Sequence, residues 1–309
     1  MNNHLFKTIL LTTRPPFLLL SLSIVILGSA IAVYQGAEWS VGLFGLITLG
    51  AVLSHAAVNL LNEYQDFQSG LDSVTEKTPF SGGSGALPAH PEAAPYVFKT
   101  FLVVLAFLIC LGGVFIFLKG WALLPLGGLG LLLIVTYTSK ITRLPWVCLV
   151  APGLAFGPIM VSGVYFVWTG EFSVLALVLS IVPFFWVNNL LLLNQIPDLK
   201  ADQTVGRFNI LMQYNVRTGV GVFTFFAVLS YLVLWGAQVF FQLPITVWLA
   251  FLGMFLVIPM LKILFSCYLK TDIPASCEQK LQPVLGMNVM INILTPIFMA
   301  IGLLLPMFE

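Results

Sequence analysis

Long apolar runs broken by short polar segments organise the whole chain. A hydrocarbon core of about 30 Å is crossed by about 20 apolar residues in helical form. Runs of that length fall at 16–35, 40–62, 94–118, 121–138, 146–168, 173–194, 217–241, 245–267 and 284–307. The pattern predicts an all-α, polytopic membrane protein with about nine transmembrane helices. Only "LKGW" separates the third and fourth runs, so these two form a tight hairpin. No internal repeat and no separate soluble stretch interrupts the series. Residues 1–309 therefore read as a single transmembrane domain, expected to enclose a central cavity beneath cytoplasmic cap loops.

Composition agrees with the pattern. Hydrophobic residues make up 59% of the chain and charged residues 8%, with a mean hydropathy of +1.02. A soluble domain could not cover itself with so little polar surface. A net charge of +1 gives no basic surface for nucleic acid. The N-terminal "MNNHLFKTILLTTRPPF" lacks the form of a cleavable signal, and the first apolar run reads as a retained span. The four cysteines, Cys110, Cys148, Cys267 and Cys277, show no CxxC spacing and no paired framework, and Cys110 and Cys148 read as small buried hydrophobes.

The basic residues set the orientation. With the N-terminus on one side, that side also holds the loops after the second, fourth, sixth and eighth helices. Twelve of the 13 Lys and Arg residues then lie on it, and Lys119 alone lies opposite. Positive charge marks the cytoplasmic side. The protein is expected in the cytoplasmic membrane, with its chemistry facing the cytoplasm. The single charges Lys270, Asp272, Glu278 and Lys280 read as an ordinary solvated loop there.

Charge concentrates in two places. "NLLNEYQDFQSGLD" (59–72) closes the second helix, and "NQIPDLKADQTVGR" (194–207) closes the sixth. Asn62 and Asp66 share a helical face if the helix continues, and Gly70 permits a turn before Asp72. Asn194, Asp198 and Asp202 follow one stripe, where like charges repel. Two such clusters facing each other need a cation between them. Carboxylate and amide oxygens suit magnesium or calcium, and magnesium is commonly held by one or two carboxylates plus substrate phosphates. Lys77, Lys140, Arg143, Lys200 and Arg207 stand beside the clusters and would neutralise phosphate charge. A solvated helix cap explains either cluster alone, but not two matching ones on one side.

The pair "NEYQDFQSGLD" and "NQIPDLKADQTVGR" resembles the two aspartate-rich motifs of the UbiA superfamily of intramembrane prenyltransferases. The likeness covers about residues 14 to 305. "RPPFLLLS" (14–21) is similar to the family's start of helix one. "KTPFSGGSG" (77–85) is similar to its basic-Thr-Pro, Gly-rich loop, and "YTSKITRLP" (137–145) to its Tyr…Lys element. "FGPIMVSGVYFVWTGEFS" (156–173) and the placement of Asp72 six residues after Asp66 resemble the 1,4-dihydroxy-2-naphthoate branch, which makes menaquinone precursors. Glu63 stands where Asp is usual, and the element around Lys140 is closer to other branches.

The resemblance implies two magnesium ions held by Asn62, Asp66, Asp72, Asn194, Asp198 and Asp202. It implies a polyprenyl diphosphate gripped by Lys77, Lys140, Lys200 and Arg207. Asp66 and Asp198 would drive its ionisation, Tyr137 would stand near the allylic cation, and an aromatic acceptor would attack it. A side opening to membrane lipid would admit the prenyl tail. The glycines of "SGGSG" would cradle phosphate through backbone N–H groups or form a lid. His55 reads as a satisfied interior polar residue and Arg14 as a positive anchor. Other acceptors (4-hydroxybenzoate-like, homogentisate, glycerol phosphate lipid) remain open, as does oligomeric state. The rival classes are a cation-coupled transporter, whose acids usually lie near mid-span, and an assembly subunit without chemistry, which leaves both clusters unexplained.

Overall fold

The computed structural model describes residues 3–75, 77–78, 80–269 and 276–307. Lys270, Asp272 and Glu309 lie outside them. Among the described residues every regular element is helical. A short first helix, α1 (Asn3–Thr12), precedes the spans. The spans are α2 (Pro15–Tyr34), α3 (Val41–Gln68), α4 (Ala94–Lys119), α5 (Leu124–Thr136), α6 (Pro145–Thr169), α7 (Val174–Thr204), α8 (Val216–Phe240), α9 (Ile245–Tyr268) and α10 (Ser276–Leu304). Eight of the nine are long and apolar enough to cross a membrane; the segment containing α5, Trp121–Thr136, is shorter. The expectation of nine helices holds in number, with this one difference in length.

Local chemistry sets the boundaries. Pro15 and Pro16 occupy the first turn of α2, where a missing N–H costs nothing. Ser40 and Ser173 cap α3 and α7 by accepting from Leu43 N and Ala176 N. The helices α3 and α7 run past the apolar segments that predict them, to Gln68 and Thr204. Both motifs are therefore mostly helical, with Asp72 in a separate 3₁₀ turn after Gly70. A wide π turn spans Ala155–Val161 inside α6, around Pro158. Such wide turns recur at functional sites.

The spans form a ring. Helix α2 packs on α3, α6 and α10; α3 on α4; α6 on α7; α7 on α8; and α9 on α10. The walls meet closely at small residues. A Cβ on Gly157 would lie 2.6 Å from the Ser180 carbonyl oxygen, and one on Gly153 would overlap the Phe184 carbonyl and the Asn188 amide. Asn188 Oδ1 accepts from Gly153 N at 2.6 Å, so this contact also satisfies a buried amide. Cys148 is buried as expected, but Cys110 is exposed, and the other two cysteines are paired. Cys267 and Cys277 are disulfide-bonded, with Cα atoms 5.6 Å apart. They close the short connection between α9 and α10, an arrangement that the spacing of ten residues gave no reason to expect.

Gly157→Ala forces α6 away from α7. The expected loss is ~1–3 kcal/mol, as for other overpacked interiors, and appears as a lower thermal midpoint of the detergent-solubilised protein.

Candidate active site

A cavity of about 700 Å³ opens at the end of the ring where both motifs lie. Apart from Arg14 and the loops at its mouth, α3, α4, α5, α6 and α7 supply its walls; no residue of α8, α9 or α10 lines it. Asn62, Asp66, Asp72, Asn194, Asp198, Asp202, Tyr137 and Arg207 all face it. The two clusters, over a hundred residues apart in sequence, are thus one site. Below this polar mouth the lining turns apolar, through residues such as Leu108, Leu131, Ile159 and Val164.

Arg207 joins the motifs. Its guanidinium donates through Nη1 to Asp202 Oδ1 at 3.0 Å and through Nη2 to Asp66 Oδ1. Gly206, at φ +75°, turns the chain back after α7. Arg207 N then reaches the Asp202 carbonyl oxygen, and Phe208 N reaches the Thr142 carbonyl oxygen at 3.0 Å. The loop after α7 is thereby docked on the loop after α5. Thr138, at the end of α5, donates to Asn62 Oδ1 at 3.0 Å. Gln195 Nε2 donates to Cys148 Sγ at 3.4 Å.

The first motif also fixes the Gly-rich loop. Glu63, fully buried, accepts from Arg14 Nε at 2.7 Å and from Ser84 N at 2.8 Å, and it takes the Ser84 hydroxyl as well. Arg14 adopts a left-handed conformation (φ 52°) immediately before Pro15, a placement that L residues rarely adopt. Two partners on α3 hold this corner: Glu63 takes the Arg14 side chain, and Asn59 Nδ2 donates to the Thr13 carbonyl at 2.9 Å. Gly83 (φ +76°) passes so close that a Cβ there would sit 3.0 Å from Asp72 Oδ1. The loop is therefore an anchored cover over the first motif. Arg14 is part of the site's mouth, not only a positive anchor.

The predicted cations divide. Arg207 lies between the motifs, whereas Lys140 and Lys200 are exposed and absent from the cavity lining. Lys77 is also exposed and outside the lining, packed beside Gly85. Among the described residues the cations that line the mouth are Arg14 and Arg207. A basic side chain beside a motif in sequence points into the site only if its helical face does. Asp198 and Asp202 share a stripe, and Lys200, two residues from each, cannot share it. No local sequence pattern marks Thr138 or Asn59 for the contacts they make here. The one signal for Glu63 is that a longer acid replaces the family's usual Asp.

The donor set fits a hard cation. Asp72 Oδ2, Asn194 Oδ1 and Asp198 Oδ1 are buried without hydrogen-bond partners among the described residues, and all three residues line the cavity. Burial, then the nearby Glu63 and Asp66 carboxylates, push the Asp72 carboxyl up to about 7. A cation would relieve that crowding. Among the described residues no three His, Cys, Asp or Glu side chains converge into a closed metal cage. Magnesium does not need one, because waters and substrate phosphates complete its shell.

A family model, the UbiA prenyltransferase family, matches residues 21–271. The chain belongs to the UbiA prenyltransferase family. Its relatives include UbiA prenyltransferase domain-containing protein 1 of Dictyostelium discoideum, 26% identical over 233 residues that cover 70% of this chain and 68% of the relative. A second is 1,4-dihydroxy-2-naphthoate octaprenyltransferase of Bacillus subtilis, 27% identical over 198 residues, 63% of this chain and 62% of the relative. Solved UbiA folds superpose over nearly the whole length. The apo UbiA homolog from Aeropyrum pernix K1 gives a TM-score of 0.65 at 15% identity, covering 94% of this chain and 98% of that one. The homolog from Archaeoglobus fulgidus bound to GPP and Mg2+ gives 0.64 at 12% identity, covering 94% and 99%. The UbiA fold and the prenyltransferase class follow from the family.

Glu63→Ala strands Arg14 and the Ser84 amide. The expected cost is ~2–3 kcal/mol, below that of a fully buried pair because the Arg14 side chain keeps 24% exposure. Faster amide exchange in residues 80–85 checks it, and Glu63→Gln, which retains an acceptor for Ser84 N, is expected to lose less.

Proposed function

We propose that the protein transfers a polyprenyl group from an allylic diphosphate to an aromatic acceptor, 1,4-dihydroxy-2-naphthoate being favoured, in menaquinone biosynthesis. The observation that carries this reading is the convergence of two carboxylate motifs on the polar mouth of an otherwise apolar cavity. The acceptor is supported by the naphthoate-type spacing of Asp66 and Asp72 and by the likeness to the Bacillus subtilis relative.

In this reading Asn62, Asp66, Asp72, Asn194, Asp198 and Asp202 hold two Mg2+ ions against the diphosphate. Magnesium would supply Lewis-acid charge to the leaving diphosphate. Arg207 and Arg14, both at the mouth, would neutralise what remains, with Lys77, Lys140 and Lys200 acting from outside as an attracting positive rim. The allylic C–O bond breaks and its electron pair leaves with the diphosphate; a ring carbon of the acceptor bonds the allylic cation and then loses its proton, or its carboxyl group as CO2 with the acid proton released, which restores the aromatic ring. Tyr137 and Phe156 face the space where that cation would form, and the surrounding apolar walls keep water from it.

The prenyl tail has a route. Helices α4 and α5 meet at the turn after Lys119 but do not pack along each other. Residues of both, such as Leu108, Gly112, Leu124 and Leu131, line the cavity between them. Hydrocarbon could extend there toward lipid. A transporter reading gains no support, since the site's charges gather at one end of the ring.

Membranes containing the protein, given labelled prenyl diphosphate, the naphthoate acceptor and magnesium, are expected to release diphosphate and form prenylated product, with EDTA abolishing both. No diphosphate release with any aromatic acceptor would end the proposal; a panel with 4-hydroxybenzoate, homogentisate and a glycerol phosphate lipid identifies the preferred one. Asp66→Ala and Asp198→Ala are each expected to lower turnover more than about 100-fold, beyond the usual effect of an outer-shell partner, while inserted protein stays constant on immunoblots.

A further inference from the structure

His55 lies two turns before Asn62 on α3, about 10 Å deeper at the rise of a helix. It is 9% exposed, lines the cavity and meets Phe156 edge-on, with ring centroids 4.9 Å apart. An ionisable side chain at that depth in a span is costly and is usually kept for function. A histidine serving only to pack helices would satisfy both ring nitrogens within the protein. Here the described residues satisfy one, Nδ1.

Ser21 Oγ, fully buried on α2, lies 3.0 Å from His55 Nδ1. It has no other hydrogen-bond partner among the described residues. Many serines and threonines in this chain give their proton to a carbonyl of the preceding turn, as Ser23 does to Leu20. Among the described residues no carbonyl of the preceding turn accepts from Ser21 Oγ, so donation to Nδ1 is the direction that gives its buried proton a partner. A neutral imidazole that accepts at Nδ1 carries its hydrogen on Nε2. Ser21 thus fixes one tautomer, and the unpartnered nitrogen is a donor.

We infer that His55 Nε2–H recognises an oxygen of the aromatic acceptor, with Ser21 as the positioning residue that sets the tautomer. The inference rests on the prenyl-transfer reading. Chemistry leaves few other occupants at this depth. The diphosphate belongs at the mouth, with the two motifs, Arg14 and Arg207. The prenyl chain is hydrocarbon and offers no acceptor for a donated hydrogen bond. A ring bearing hydroxyl or carboxylate oxygens offers both a face for the apolar walls (Ile47, Ala51, Phe156) and an oxygen for Nε2. His55 then holds the ring by its oxygen, and the cation forming above meets ring carbon.

Steady-state transfer with the acceptor varied, and Mg2+-dependent binding of a non-hydrolysable prenyl thiolodiphosphate, separate this from a packing role. His55→Phe is expected to raise the acceptor KM about tenfold, the scale of one lost hydrogen bond, with thiolodiphosphate binding unchanged. His55→Gln, which keeps an N–H donor, is expected to recover most of the loss. Ser21→Ala, which frees the tautomer, is expected to raise the acceptor KM a few-fold and leaves a readout if His55→Phe fails to fold. An unchanged acceptor KM in both His55→Phe and Ser21→Ala, or a loss confined to donor binding, overturns the assignment while prenyl transfer itself stands. Absence of transfer by the unsubstituted protein to every aromatic acceptor overturns the underlying reading instead.

Discussion

Like charges facing each other across a cavity are the constraint around which this protein is arranged. Asp66 on α3 and Asp202 on α7 stand close enough to share the Arg207 guanidinium. The Arg207 cation between them offsets their mutual repulsion, whereas burial, then the Glu63 and Asp66 carboxylates, push the Asp72 carboxyl toward its neutral form. The turn at Gly206, the docking of Phe208 on Thr142 and the passage of the loop after α5 under Asn62 are the means by which the chain returns a cation to that place. Removing water strengthens each of these interactions and makes any omission expensive.

A second ion pair does for the cover what Arg207 does for the walls. Arg14 and Glu63 join the start of α2 to the first motif, and Ser84 brings the Gly-rich loop to the same carboxylate. The left-handed Arg14 is locally unfavourable and is held by contacts on both sides. The remainder of the ring serves support. Helices α8, α9 and α10 line no part of the cavity; α10 and α8 brace α7 from behind, through Asn288 Nδ2 on the Asn189 carbonyl and Asn189 Nδ2 on the Phe223 carbonyl, α10 also packs along α2, and α9 backs α8 and α10.

Much of this was legible in the sequence. Apolar run length reports spans directly, since a helix inside a bilayer must satisfy its backbone internally. The i, i+4 spacing of Asn62 with Asp66, and of Asn194 with Asp198 and Asp202, placed these side chains on the faces that meet. What escaped depends on contacts between distant segments. Nothing local to Glu63 shows that Arg14, 49 residues earlier, is its partner. Nothing local to Lys140 or Lys200 shows that they point outward, though the helical period put Lys200 off the Asp198–Asp202 stripe. The Cys267–Cys277 bond likewise depends on how α9 and α10 are brought together.

The divergence of α4 and α5 bears on how concentration should be counted. A substrate that reaches a site sideways, through acyl chains, is never dilute in the aqueous sense. On the proposed route, what α4 and α5 would meet is its mole fraction in a two-dimensional solvent. Adding empty lipid thins that population even when the molar amount in the tube is constant. The saturation behaviour of such a protein is a property of the membrane it sits in as much as of its residues.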